Sequence, residues 1–179
     1  MSRIRMFLGS FLFFGFVFTQ FGCSALPIFF DVKTEGTTTI QKGTLLEQLA
    51  GGFGFDSFAS FDISQTQEFK NNNTQKSLVK EAKVKSIALT ITGPDSQNFD
   101  FLEEISFFVE APGLSKKRIG TKKVPKGVKT FTLDLDDIDL TSYVKADSIK
   151  ITTDAKGKRP ENDTTVKAEI VLTIGAGIL

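Results

Sequence analysis

Histidine is absent from this chain, tryptophan is absent, and cysteine and tyrosine occur once each, at Cys23 and Tyr143. Without histidine, serine–histidine and cysteine–histidine nucleophile pairs and histidine metal centres are excluded. Without a second cysteine there is no intrachain disulfide, and an unpaired thiol is unusual in an exported protein. Five prolines are too few for a proline-rich linker, and no internal repeat or low-complexity tract stands out. Carboxylates, lysines and hydroxyls are what remains for chemistry.

The chain does have phenylalanine, nineteen in all, and their distribution is uneven. Seven of them, from Phe7 to Phe21, fall in the first 22 residues. That segment opens with Arg3 and Arg5 and continues as an apolar run from Met6 to Phe18, interrupted by Gly9, Ser10 and Gly15. It has the basic start and apolar length of an export signal and is shorter than the roughly 20 residues a spanning helix needs. No later segment is apolar enough to span a bilayer. Residues 1–22 are therefore read as a cleaved signal, residues 23–27 as a short tether and residues 28–179 as one domain. Removing Arg3 and Arg5 leaves 20 of the 22 basic residues against 21 acidic ones, a balance that names no partner.

At the end of the apolar run, Gln20-Phe21-Gly22-Cys23 sets a small residue directly before the cysteine. This resembles the lipobox of bacterial lipoproteins. The resemblance implies cleavage after Gly22, a diacylglycerol on the Cys23 thiol and acylation of the new amino terminus. Gln20 departs from the pattern, which usually has leucine or another aliphatic there. The match covers the first 23 residues only. What it implies is an exported protein held on a membrane by lipid. Ser24, not aspartate, after the cysteine is compatible with sorting to the outer membrane.

From Ile28 onward, short period-two runs alternate with turn residues, as in a sandwich or barrel. Ile28–Thr39 supplies a strand or two around Gly36. Thr44 and Glu47 stand at capping-box spacing before Gly51-Gly52, which predicts one short helix near residues 44–50. Phe58–Phe69 reads as a strand with Phe61 and Ile63 on one face, and Asn71-Asn72-Asn73 as a turn. Ile87, Leu89 and Ile91 alternate, and Ile105, Phe107 and Val109 do the same. A short strand is expected near Lys117–Thr121 after Pro112-Gly113. Phe131, Leu133 and Leu135 read as one strand, Leu140–Val144 as a helical turn, and Ile149 with Ile151 as a further strand. Val166, Ala168, Ile170, Leu172 and Ile174 give the strongest pattern of all. The expected fold is an all-β antiparallel sandwich of about eight or nine strands, immunoglobulin-like or otherwise Greek-key, with a small β-barrel as the second choice.

Two charged runs remain. Asp134, Asp136, Asp137 and Asp139 offer oxygen to a hard cation but lack the glycine and terminal glutamate of a helix-loop-helix calcium loop. Alternation with Leu133 and Leu135 is equally what a solvated strand face shows. Asp100, Glu103 and Glu104 form a weaker acidic group. Lys116, Lys117, Arg118, Lys122, Lys123, Lys126 and Lys129 fall together with no acidic residue among them. Such a surface suits anionic lipid headgroups, and residues 24–27 reach at most roughly 14 Å from Cys23. Lysines that guard an exposed edge strand give the same sequence. Lys156, Lys158 and Arg159 form a second basic cluster. Nucleic acid is not an expected partner, since neither cluster interleaves tryptophan, tyrosine or histidine with its basic residues. Gly51–Gly54 with Phe53 and Phe55 lacks the lysine of a phosphate loop. Two glycosylation-type triplets, at Asn72 and Asn162, carry little weight in a bacterial product.

No cofactor is expected. The leading expectation is a non-enzymatic envelope lipoprotein whose domain binds or scaffolds another envelope component. A carrier of an apolar ligand is the alternative, and a carboxylate-based hydrolase the third reading.

Overall fold

The computed structural model describes residues 26–44 and 60–179. The signal, Cys23, most of the predicted 44–50 helix and the Gly51–Gly54 segment lie outside the described residues. Eight strands are described: β1 (Ile28–Ile40), β2 (Val79–Gly93), β3 (Leu102–Ala111), β4 (Leu114–Lys123), β5 (Thr130–Thr132), β6 (Asp134–Leu135), β7 (Lys150–Gly157) and β8 (Thr164–Ala176). They form two antiparallel four-stranded sheets with the orders β1-β8-β2-β5 and β6-β4-β3-β7. The all-β sandwich expected from the period-two runs is the architecture observed.

β8 is the axis of the first sheet. Its alternate residues Val166, Ala168, Ile170, Leu172 and Ile174 are all buried, while Lys167 and Glu169 point outward. β1 pairs with it from Ile28↔Ala176 to Ile40↔Thr164 without a shift, and β2 pairs along its other side with three bulges. The second sheet answers with Ile105, Phe107 and Val109 from β3, Ile119 from β4 and Ile151 from β7. Phe99 packs edge-on to Phe131 at 4.8 Å between ring centres, and Phe30 packs edge-on to Phe69 at 5.3 Å. These geometries suit the ring quadrupoles and fill the two ends of the core.

Two segments differ from expectation. In place of a strand through Phe58–Phe69, the described part keeps one bridge, Phe61↔Ile149, and then turns into a 3-10 turn (Ile63–Gln65) and helix α1 (Gln67–Asn71). The Asp62 carboxylate accepts the Ser64 amide at 2.9 Å, which starts the helical turn. Gln67 then bonds Asn71 at 2.8 Å across one turn. Ile63 and Phe69 are buried from this helical path, so the apolar spacing alone did not separate strand from helix.

The run Phe131, Leu133, Leu135 is one strand in sequence and two in space. β5 joins β2, β6 joins β4, and Leu133 crosses between the sheets while its amide still donates to the Ile87 carbonyl. Gly120 permits that crossing: a Cβ there would stand 3.2 Å from the Asp134 carbonyl oxygen and 3.4 Å from Leu133 and Leu135 carbons. The helical turn near Leu140–Val144 is present as α2 (Thr141–Lys145), with Tyr143 and Val144 buried.

The sandwich has two distinct ends. At one, the starts of β1, β2, β4 and β7 meet the ends of β3 and β8. Three hydrogen bonds tie this end across both sheets: Tyr143 Oη to the Ser115 carbonyl, Lys76 Nζ to the Ala146 carbonyl, and the Leu140 amide to the Ala82 carbonyl. Residue 26 enters here, where the tether expected from the sequence would join the domain, and this end is called the tether end. The far end gathers the β2–β3 connection, the β7–β8 loop and the segment after β4.

Candidate functional site

The acidic and basic runs singled out in the sequence meet each other. β6 lies beside β4, with Thr121↔Asp134 in register. Arg118 grips Asp136 with two nearly parallel bonds, Nε to Oδ2 at 2.8 Å and Nη2 to Oδ1 at 3.1 Å. That fork geometry is the strong form of a carboxylate–guanidinium pair. It holds the Asp136 carboxyl below its usual range and raises Arg118. Lys122 donates to Asp134 at 2.8 Å. Asp139 accepts the Thr141 hydroxyl and the Thr141 amide at the start of α2, and these bonds lower its pKa. Asp137, with a side chain 94% exposed, comes only within 4.0 Å of Lys83.

The four carboxylates thus turn to four different partners. Among the described residues no group of three or more acidic or thiol side chains converges as metal ligands would. Carboxylates spaced by two share one face only while the strand continues, and here the strand ends at Leu135.

The basic run does not make one surface either. β4 carries it from Lys116, near the tether end, to Lys123, toward the far end, seven steps and so about 23 Å along the strand. Lys116 lies over the Phe108 ring at 4.4 Å and 3.7 Å from Glu110. Arg118 and Lys122 are paired as described. Lys126 donates to the Asp100 carbonyl at 3.0 Å, closing the segment after β4 onto the β2–β3 connection. Lys117, Lys123 and Lys129 are exposed and form no ion pair among the described residues. Lys123 and Lys156 flank Glu104 in register across the second sheet. A bilayer at the tether end would meet Lys116 and Lys117 but not Lys126 or Lys129.

The outer face of the first sheet carries a charge ladder that the sequence reading did not single out. Lys33 bridges Glu169 at 2.7 Å and Glu35 at 2.8 Å, which raises it to about 12. Lys33 in turn, with help from Lys167, lowers Glu35. Lys85 bonds Asp31, which also accepts from Thr173 at 2.8 Å, and Asp31 is lowered by both. Period-two charge in β1 and β8 was the available signal, and it needed the register between the two strands to become a ladder.

The far end holds a cleft of about 500 Å3 lined by Gln97, Asn98, Asp100, Lys158, Arg159 and Asn162, among others. Its uncharged amides and Asp100 are held in loop contacts, while the side chains of Lys158, Arg159 and Glu161 form no hydrogen bond or ion pair among the described residues. Asn162 donates to Gln97 at 3.2 Å, Asn98 accepts the Asp100 amide at 3.0 Å, and Asp100 accepts the Gly127 amide at 2.6 Å. These bonds fasten three loops together and leave no aimed acid–base pair.

The tether end has a different surface. Leu26, Phe29, Ile178 and Leu179 are four of the six large exposed apolar residues described, at 87%, 58%, 55% and 66% exposure. The ring of Phe29 lies over Gly175, where a Cβ would fall 2.7 Å from it. Among the described residues no helix is long and apolar enough to cross a membrane.

Neither a comparison with protein-family profiles nor one with curated proteins gives a match for this chain. Among solved structures it is similar to one from Desmodium yellow mottle tymovirus, at 12% identity and a TM-score of 0.29, over 100% of this chain and 97% of that one. A likeness that low carries no argument about function.

Proposed function

We propose that the protein is an exported bacterial lipoprotein, anchored to the outer membrane through lipid on Cys23, whose β-sandwich binds or scaffolds another envelope component without catalysing a reaction. The observation that carries this reading is the run of signal features ending in Gly22-Cys23. The chain that follows needs only three residues to enter the described domain at Leu26, so the sandwich stands close above its anchor. Two or three acyl chains make such anchoring stable, whereas one short chain alone is marginal.

The non-enzymatic part of the reading is supported by the side chains available. With histidine missing from the sequence, acid–base work falls to carboxylates, and those whose pKa values are lowered each face a structural partner. Their pKa values are lowered, which suits fixed charges better than a proton donor at neutral pH.

Metabolic labelling with a radioactive or clickable fatty acid tests the anchor. Wild type is expected to take label and to pellet with membranes; Cys23→Ala is expected to take none and to be released. Equal labelling of both chains would refute the assignment.

A further inference from the structure

The structure's exposed apolar residues are not scattered. β1 and β8 pair as far as Ile28↔Ala176, so Leu26 and Ile178 leave the sheet at the same end, from neighbouring strands. Phe29 lies one pair inward, across Gly175. Leu179 follows Ile178. Single exposed apolar residues are ordinary on a protein surface, but a contiguous group of large ones marks a contact.

These side chains are also held in place. The Gly177 amide donates to the Leu78 carbonyl at 2.9 Å, the Thr74 hydroxyl to the Gly177 carbonyl at 2.6 Å, and the Leu179 amide to the Asn73 carbonyl at 3.0 Å. The segment after β8 is therefore fastened to the β2 side of the sheet, with Ile178 and Leu179 presented outward from a fixed backbone. At this same end of the sandwich Lys70 on α1, Lys80 on β2 and Lys145 on α2 are exposed and form no ion pair among the described residues. Exposed apolar residues at the same end as these lysines match the layered chemistry of a lipid surface, acyl boundary inside and headgroup phosphates outside.

We infer that this corner, formed by Leu26, Phe29, Ile178 and Leu179, is seated in the phospholipid bilayer that carries the Cys23 anchor. The inference rests on the anchor reading, because what selects a bilayer as the occupant is chain length: only Ser24 and Ala25 lie between Cys23 and Leu26, a reach of about 11 Å at full extension. An apolar corner that close to inserted acyl chains meets the interface before any soluble partner does. The contact fixes orientation as well as position. With the corner down, β1 and β8 rise from the membrane, and the polar cleft at the far end faces away from it, about 40 Å along the 13-residue β1.

The test uses the full chain expressed in its own membrane-bound form, with photoreactive benzoylphenylalanine in place of Ile178 in one variant and of Asn162, in the far-end cleft, in another. After illumination the adducts are read by mass spectrometry, and fatty-acid labelling of Cys23 is measured on the same samples. The expected result is a phospholipid adduct from position 178 at least tenfold above that from position 162, with Cys23 labelled in both. A labelled Cys23 with equal lipid adducts at the two positions, or with polypeptide adducts only at 178, overturns the seating while leaving the anchor intact. An unlabelled Cys23 overturns the anchor and, with it, the reason for seating the corner on a bilayer.

Discussion

The two ends of the sandwich are built alike inside and finished differently outside. Each closes the core with an edge-on aromatic pair, Phe30 with Phe69 at the tether end and Phe99 with Phe131 at the far end. Beyond those pairs the resemblance stops. The far end covers itself with loops whose amides and carboxylates bond to one another, whereas the tether end leaves Leu26, Phe29, Ile178 and Leu179, and beside β3 Leu114, in the open. Burial explains the first pattern, since loops over a core must satisfy their own polar groups. It does not explain the second, which folding alone would have no reason to keep.

The largest effects should show the interiors to be equivalent. Phe69→Ala and Phe99→Ala each remove a ring buried to 1% exposure or less, and each is expected to cost about 3–5 kcal/mol in chemical denaturation. A large inequality between them would break the comparison and mark one end as loosely packed. Next in size, Gly157→Ala strikes the far end only. Its Cβ would stand 2.2 Å from the Phe101 carbonyl oxygen, a backbone atom that cannot swing aside, so a loss of about 1–3 kcal/mol is expected.

Lys76→Ala is the matching probe of the tether end. Lys76 bridges Asp62 at 2.7 Å and the Ala146 carbonyl at 2.7 Å, joining the 3-10 turn before α1 to the end of α2. The pair is partly exposed, which discounts it to about 1 kcal/mol, and hydrogen exchange should rise in α1 and α2 before it rises in β7.

Acid should act more broadly and more gently. Asp31, Glu35 and Asp136 are lowered by their Lys or Arg partners, and at Asp62 burial works upward but Lys76 and Ser64 outweigh it. Carboxyls with folded pKa values below the unfolded ones lend stability that is fully present above about pH 5 and lost as pH falls through the folded values. The thermal midpoint is therefore expected to hold level from neutral pH to about 5 and to decline below about 4. A decline beginning near pH 6 would contradict these pairings.

What the sequence made legible follows from what period two can report. β8 was readable because five buried residues alternate without interruption, and β3 for the same reason. Phe58–Phe69 reads as a strand because apolar residues at 61, 63 and 69 fit a strand start and a helical turn equally, and the Asp62 cap that decides between them is a single side-chain bond. Leu135 was placed with Phe131 because the chain's crossing between sheets at Leu133 leaves no mark in the apolar pattern. The charged runs were seen as two separate features; that β6 lies along β4, pairing Arg118 with Asp136, is a long-range register that neither run carries alone. The apolar corner is the extreme case, since Leu26, Phe29, Ile178 and Leu179 are brought together by pairing the first and last strands.

The difference between the ends has meaning only if the tether end is tethered, and the mass of the amino-terminal peptide of the mature protein tests that directly. The account predicts a chain beginning at Cys23, heavier than its sequence by a diacylglyceryl group and an amide-linked acyl chain. A peptide that still contains Gly22, or a Cys23 with a free thiol, would contradict it.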